Sequence, residues 1–168
     1  VTLRGGSPFH DALHGSLVAA ENDAPLFSVD AIVLERNSRD FPERVPLINA
    51  NGEAVYDFLS GHPAVERVWY PKCETPEYYE ALLKPGGGYG GLMSILIKDA
   101  AIATPRFFDA LRFCKGPSLG TNYSLACPYT LLAHYDELEW ASERGVDRNL
   151  LRLWVGLEPS NEIVGRLE

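Results

Sequence analysis

Leu150-Leu151-Arg152-Leu153-Trp154-Val155-Gly156-Leu157-Glu158 reads as a late, apolar β-strand interrupted by one arginine. A guanidinium buried among Leu and Val costs on the order of several kcal/mol unless a planar anion, most often a carboxylate, receives its fork of donors. The residues alone admit two readings. Arg152 either anchors a carboxylate-bearing small molecule, or it faces solvent or pairs with an internal Asp or Glu, as strand arginines often do.

Upstream of that strand, strand and helix signals alternate. Val65-Glu66-Arg67-Val68-Trp69-Tyr70 alternates apolar and polar residues and predicts a half-buried strand ended by Pro71. Residues 77–83 read as a short helix, the glycines of 86–91 as a flexible connection, and 92–98 as an interior strand. Thr104-Pro105 reads as N-cap and first helical residue, with Phe107, Ala110, Leu111 and Cys114 on the buried face that follows. The Gly116 to Gly120 segment turns into a short strand, 131–143 is predicted mostly helical, and Ser160 is expected to cap a last helix. Residues 31–59 are helical in pattern, with Ile48, Val55 and Leu59 on one face, Gly61-His62-Pro63 as the stop, and Pro42 and Pro46 dividing the run. A loop at Gly5-Gly6-Ser7-Pro8 and a short helix over 11–20 complete the N-terminus. The organisation expected is an arm over 1–30, a linking helical region over 31–62, and a domain over 63–168 in which few strands and several helices make an α+β architecture.

A chain of 168 residues suits one domain, or a small domain with an arm. Its 15 Lys and Arg against 23 Asp and Glu give a formal charge of −8 without any basic run, which argues against a nucleic-acid partner. Cys73, Cys114 and Cys127 lie far apart, without zinc-ligand spacing or a disulfide framework, and fit a reducing compartment. The longest apolar run, 92–97 with Ser94 inside it, is too short to span a bilayer, so a soluble, cytoplasmic protein with no membrane partner is expected. A start at Val1 rather than Met, and an end within an apparent helix, read as a piece of a longer chain or a processed product.

Other candidate sites are weaker. The glycines of 86–91 precede a strand, whereas a phosphate cradle needs strand, glycines and then a helix N-terminus. His10 and His14 stand four apart beside Asp11 but lack a third ligand, and His62 and His134 read as structural. Ser118, between Gly116 and Gly120 on the expected short strand, is either a turn former or a hydroxyl whose backbone lies close to a ligand.

Several stretches together resemble a known family. Val68-x-Tyr70-Pro71, Gly87-Gly88-Tyr89-Gly90-Gly91-Leu92-Met93-Ser94, Gly116-Pro117-Ser118-Leu119-Gly120-Thr121-Asn122 and Arg152-Leu153-x-Val155-Gly156-Leu157-Glu158 are similar to the C-terminal part of the cystathionine γ-synthases, which are pyridoxal-phosphate enzymes of fold type I. Leu34-Glu35-Arg36-Asn37-Ser38-Arg39-Asp40-Phe41 and Pro128-Tyr129-Thr130-Leu131-Leu132-Ala133-His134-Tyr135 resemble the fungal branch. The likeness runs in order from Ala31 to Glu168. It implies the small C-terminal domain of such an enzyme, with a short, mostly antiparallel sheet covered by helices. The reaction it implies is γ-replacement on an O-acylhomoserine by cysteine, giving cystathionine.

By the same resemblance Arg152 grips the substrate α-carboxylate. Ser118 helps to position the catalytic lysine, and Leu119 and Gly120 shape the adjoining wall. The family's Schiff-base lysine has no counterpart among Lys72, Lys84, Lys98 and Lys115, so no residue is assigned as catalytic, cofactor-binding or metal-binding. Pyridoxal phosphate is expected for the complete family enzyme and not for this chain alone, which is expected to be inert by itself. Trp154 replaces a small family residue and, two positions from Arg152 on the same strand face, is expected to crowd the carboxylate site. Gly52, usually alanine in the family, weakens its helix by about 1 kcal/mol. Two other readings are a duplicated, non-catalytic domain that assembles with itself or with a full-length homologue, and a cofactor-independent enzyme reusing the carboxylate pocket.

Overall fold

A computed structural model describes residues 10–23 and 26–168, so the loop expected at Gly5-Gly6-Ser7-Pro8 lies outside the described residues. The chain divides into two compact units, residues 1–41 and 42–168. The first carries α1 (His10–Asp23) and α2 (Ser28–Ser38). No residue of α2 is buried; its C-terminal end is held by the Ser38 hydroxyl donating to the Glu35 carbonyl at 2.8 Å and by a 3.0 Å Arg39–Glu35 ion pair.

In the second unit, α3 (Phe41–Gly61) is followed by β1 (Val65–Trp69), α4 (Pro76–Glu80), β2 (Leu92–Ile97), α5 (Ala100–Ala110), β3 (Cys114–Lys115) and β4 (Leu125–Pro128). Then come α6 (Tyr129–Ala133), a single 3₁₀ turn at Tyr135–Glu137, α7 (Leu138–Glu143), β5 (Leu151–Trp154) and α8 (Ser160–Gly165). The fold is α+β. Its five strands lie in the order β1-β2-β5-β4-β3, antiparallel throughout except for the parallel β3–β4 pair.

Register assigns each side chain to a face, because directly opposed residues in adjacent strands share one. Val68, Ile95 and Leu151 align across β1, β2 and β5; Met93, Leu153 and Ala126 align across β2, β5 and β4. This face carries the core, completed by Val55 and Leu59 of α3, by Leu111 and Phe113 after α5, and by Ile163 and Leu167 at α8. Leu153, Val155 and Ile163 are fully enclosed, each stabilising the fold by roughly 1.5–3 kcal/mol. The opposite face presents Trp69, Ser94, Arg152 and Cys127 in one row and Leu92, Trp154 and Leu125 in the next.

Several local expectations need correction. The break before the long helix falls at Arg39–Asp40, and neither Pro42 nor Pro46 divides α3. Pro42 sits in the first turn, where a missing N–H breaks no helical bond, and Pro46 frees only the carbonyl of exposed Pro42. Likewise α5 begins at Ala100 after left-handed Asp99, so Thr104 is a buried helical residue and Pro105 an interior one rather than cap and first residue. Leu111 is buried and Phe107 half-buried, but Ala110 and Cys114 are exposed. Ser160 opens α8 without a capping bond.

The glycine-rich connection is pinned rather than flexible. Gly90 N–H donates to Asn49 Oδ1 at 2.9 Å, and its carbonyl accepts from the Tyr70 hydroxyl at 2.8 Å. Gly52 has a structural reason to lack a side chain, since a Cβ there would stand 2.2 Å from the Gly90 carbonyl oxygen. The helix therefore gives up propensity to let the loop close on it.

Candidate substrate-carboxylate site

Arg152 is half-buried on the sheet face opposite the core, between Ser94 of β2 and Cys127 of β4. Its guanidinium donates through Nη2 to the Pro117 carbonyl and lies 5.2 Å from the centre of the Tyr129 ring. Among the described residues no carboxylate forms an ion pair with it; ion pairs such as Arg67–Glu74, Lys72–Glu53 and Arg166–Glu158 lie elsewhere. The internal Asp or Glu of the alternative reading is therefore not found there. Burial raises the pKa of the neighbouring Cys127 thiol, and the Arg152 charge opposes that rise only in part.

The loop beyond β3 forms one wall. It is held at four points: Arg152 to the Pro117 carbonyl, Trp154 Nε1 to the Thr121 carbonyl at 2.7 Å, Arg44 Nη1 to Asn122 Oδ1 at 3.1 Å, and Leu157 N–H to the Asn122 carbonyl at 2.8 Å. Ser118 and Leu119 follow Pro117 directly and are exposed. Ser118 lies in this loop rather than on a strand, because β3 ends at Lys115. Arg152 and Ser118 are thus brought together through Pro117.

Trp154 shares Arg152's face, as alternation requires, and its indole donates to the Thr121 carbonyl, fastening the wall. Trp154→Phe removes the donor together with part of the ring volume. It is expected to cost about 1 kcal/mol and to speed amide exchange at Leu119 to Asn122. Unchanged exchange would remove Trp154 from that duty.

A third layer was not legible in the sequence. Asn51 of α3 donates from Nδ2 to the carbonyls of Gly156 at 2.9 Å and Glu158 at 2.8 Å. Glu158 in turn accepts from Ser124 N–H at 2.8 Å and from the Ser124 hydroxyl at 3.0 Å, and that hydroxyl accepts from Gly156 N–H at 3.0 Å. These bonds tie the end of β5 to the start of β4 and fix the strand on which Arg152 stands. A sequence signal for it was Gly156, where an added Cβ would stand 2.6 Å from Glu158 Oε2 and 2.7 Å from the Asn122 carbonyl oxygen.

The other titratable candidates are engaged locally. His134 Nδ1 lies 2.6 Å from Glu137 Oε1, between the Tyr129 and Trp140 rings. The His10 and His14 rings stack at 5.7 Å, and no group of three His, Cys, Asp or Glu among the described residues could hold a metal ion. Lys72 is held by Glu53 at 2.7 Å, which raises its pKa. Lys98 donates to the Pro63 carbonyl at 2.6 Å, and Lys115 sits 4.5 Å from the Phe108 ring centre, where desolvation lowers its pKa.

The α+β fold matches that of fold type I pyridoxal-phosphate enzymes over part of their chains. The crystal structure of cystathionine gamma synthase from Xanthomonas oryzae pv. oryzae in complex with cystathionine matches with a TM-score of 0.70 and 28% identity, over 79% of this chain and 35% of that one. The chain belongs to the Cys/Met metabolism PLP-dependent enzyme family, whose sequence profile matches residues 19–168. A cystathionine gamma-synthase of Neurospora crassa is 47% identical over 159 residues, which are 94% of this chain and 25% of the relative. A cystathionine gamma-synthase-like enzyme of Amanita muscaria, iboG2, is 43% identical over 172 residues, 90% of this chain and 27% of its own. The chain spans about a quarter of the length of these relatives. No helix among the described residues is long and apolar enough to cross a membrane.

Proposed function

We propose that this chain is the substrate-holding portion of a pyridoxal-phosphate-dependent γ-replacement enzyme that makes cystathionine from an O-acylhomoserine and cysteine. The carrying observation is Arg152, a half-buried guanidinium with no carboxylate partner among the described residues, beside a fixed loop in a chain 47% identical to a cystathionine gamma-synthase. Arg152 receives the α-carboxylate of the amino-acid substrate through its remaining donors. The Pro117 carbonyl keeps the guanidinium turned towards the loop, and Ser118 and Leu119 form the wall along which the substrate lies. The protein acts in the cytoplasm.

Pyridoxal phosphate belongs to the complete family enzyme. The lysines of this chain do not fit its attachment: Lys72 is neutralised by Glu53, Lys98 is held on the Pro63 carbonyl, Lys115 lies on Phe108, and Lys84 stands exposed before the glycine loop. No step through the cofactor is therefore assigned to residues of this chain. Incubating the 168-residue chain with pyridoxal phosphate is expected to give no internal-aldimine absorbance. A borohydride-trapped adduct on one specific lysine would overturn that expectation.

A second reading is favoured by α2, where Val29, Ile32 and Val33 are all exposed at helical spacing. In it the chain assembles with itself or with a full-length homologue as a non-catalytic partner. Copurification with such a homologue, against a monomer on its own, separates the two readings.

A further inference from the structure

The Arg152 side chain leans from β5 towards β4 and β3, because both of its contacts lie on that side: the Pro117 carbonyl just beyond β3 and the Tyr129 ring just beyond β4. A free arginine samples many rotamers, and fixing it before a ligand arrives moves that entropic cost from binding to folding. The Pro117 carbonyl accepts from one nitrogen, Nη2, which fixes a single point of the guanidinium and not its tilt. Tyr129 supplies the second restraint. The guanidinium carbon lies over its ring, 5.2 Å from the centre, within the range at which the ring quadrupole attracts a cation.

Tyr129 is itself held in place. Its N–H donates at 3.1 Å to the carbonyl of Leu150, two residues before Arg152, so ring and arginine are referenced to the same strand end. The next residue, Thr130, is fully buried, and its hydroxyl donates to the Asp147 carbonyl at 2.7 Å. The Tyr129 and His134 rings meet edge to face at 5.6 Å and 71°, and Trp140 of α7 stacks with His134 at 6.4 Å. Glu137 Oε1, 2.6 Å from His134 Nδ1, sets the imidazole plane, and Arg144 lies over the Trp140 ring at 4.0 Å. This braced row of three rings ends on Arg152 rather than in the core, of which Tyr129 is not a member.

We propose that Tyr129 is a positioning residue for carboxylate binding: its ring fixes the tilt of the Arg152 guanidinium so that the donors not taken by Pro117 meet a carboxylate together. The inference rests on the reading of Arg152 as a carboxylate anchor and adds to it the group that orients that anchor. Tyr129 acts through Arg152.

The test is an NMR titration of the nitrogen-15-labelled 168-residue chain with O-acetyl-L-homoserine and with its α-carboxamide. The Arg152 Nε–H signal is identified by its loss in Arg152→Gln. Tyr129→Leu keeps an apolar side chain and removes the ring. In it the Nε–H signal is expected to shift as the ring current disappears, and the preference for acid over amide to fall roughly 5-fold. Tyr129→Phe restores the ring face and should keep both the signal and the preference close to those of the unaltered chain. Melting curves report folding, and Tyr129→Met is the second ring-free variant should the leucine chain unfold. A preference unchanged without the ring, or one that falls as far in Tyr129→Phe, overturns the positioning role and leaves the carboxylate anchor standing. Acid and amide binding alike to the unaltered chain, or neither binding, removes the anchor and the positioning role with it.

Discussion

Gly156→Ala is expected to lower the stability of this chain by about 3 kcal/mol, combining overpacking of 1–3 kcal/mol with hydrogen bonds worth about 1 kcal/mol each. A Cβ at this position would stand 2.6 Å from the Tyr123 carbonyl carbon, 2.7 Å from the Asn122 carbonyl oxygen and 2.6 Å from Glu158 Oε2. Two of these neighbours are backbone and cannot rotate away. Relief requires the 122–124 segment to move off β5, and that segment is bonded there by Leu157 N–H to Asn122 and by Gly156 N–H to the Ser124 hydroxyl. The Asn51 amide, which holds the Gly156 and Glu158 carbonyls together, loses its geometry in the same movement. For a chain of this size the loss corresponds to a fall in melting temperature of roughly 6–12 °C. Gly61→Ala is the control, because nothing lies within 4 Å of a Cβ added there. Equal melting temperatures for the two variants would show that the 122–124 segment is not clamped as described.

That clamp also marks where the sequence stopped being readable. Strands β1, β2 and β5 could be placed from alternation and apolar density, because a strand with one buried face prints its period on the chain. The placing of Trp154 on the same face as Arg152 followed from the same period. Pro46 does not divide its helix and Pro105 does not start one, for a common reason. Each is the sixth residue of its helix and frees one carbonyl, of Pro42 and of Ala101, that lies exposed and can be satisfied by water. Asn51 was unreadable for another reason: its partners are 105 and 107 residues away, and a helical asparagine carries no mark of a distant carbonyl. Alternation places Trp154 on the face of Arg152 but does not fix its rotamer, so the bond from the indole to the Thr121 carbonyl could not be read from the sequence.

Arg152→Lys is expected to weaken binding of an O-acyl-L-homoserine roughly 10- to 100-fold, although the charge is kept, because the loss lies in the planar fork. One guanidinium nitrogen, Nη2, is already committed to the Pro117 carbonyl, and the plane rests near the Tyr129 ring. The other nitrogens can still meet both carboxylate oxygens at once. A lysine ammonium is a single centre that must choose between the Pro117 carbonyl and the ligand, and it is more strongly hydrated, so leaving water for this half-buried position costs more. Arg152→Gln goes further, removing the charge and its downward pull on the buried Cys127 thiol. Titrating the acid and its α-carboxamide against all three proteins isolates the carboxylate term. The unaltered chain should prefer the acid at least 10-fold, the lysine variant should retain a small part of that preference, and the glutamine variant should retain none. A purely structural arginine would lower stability in both variants and leave the ratio of acid to amide where it was.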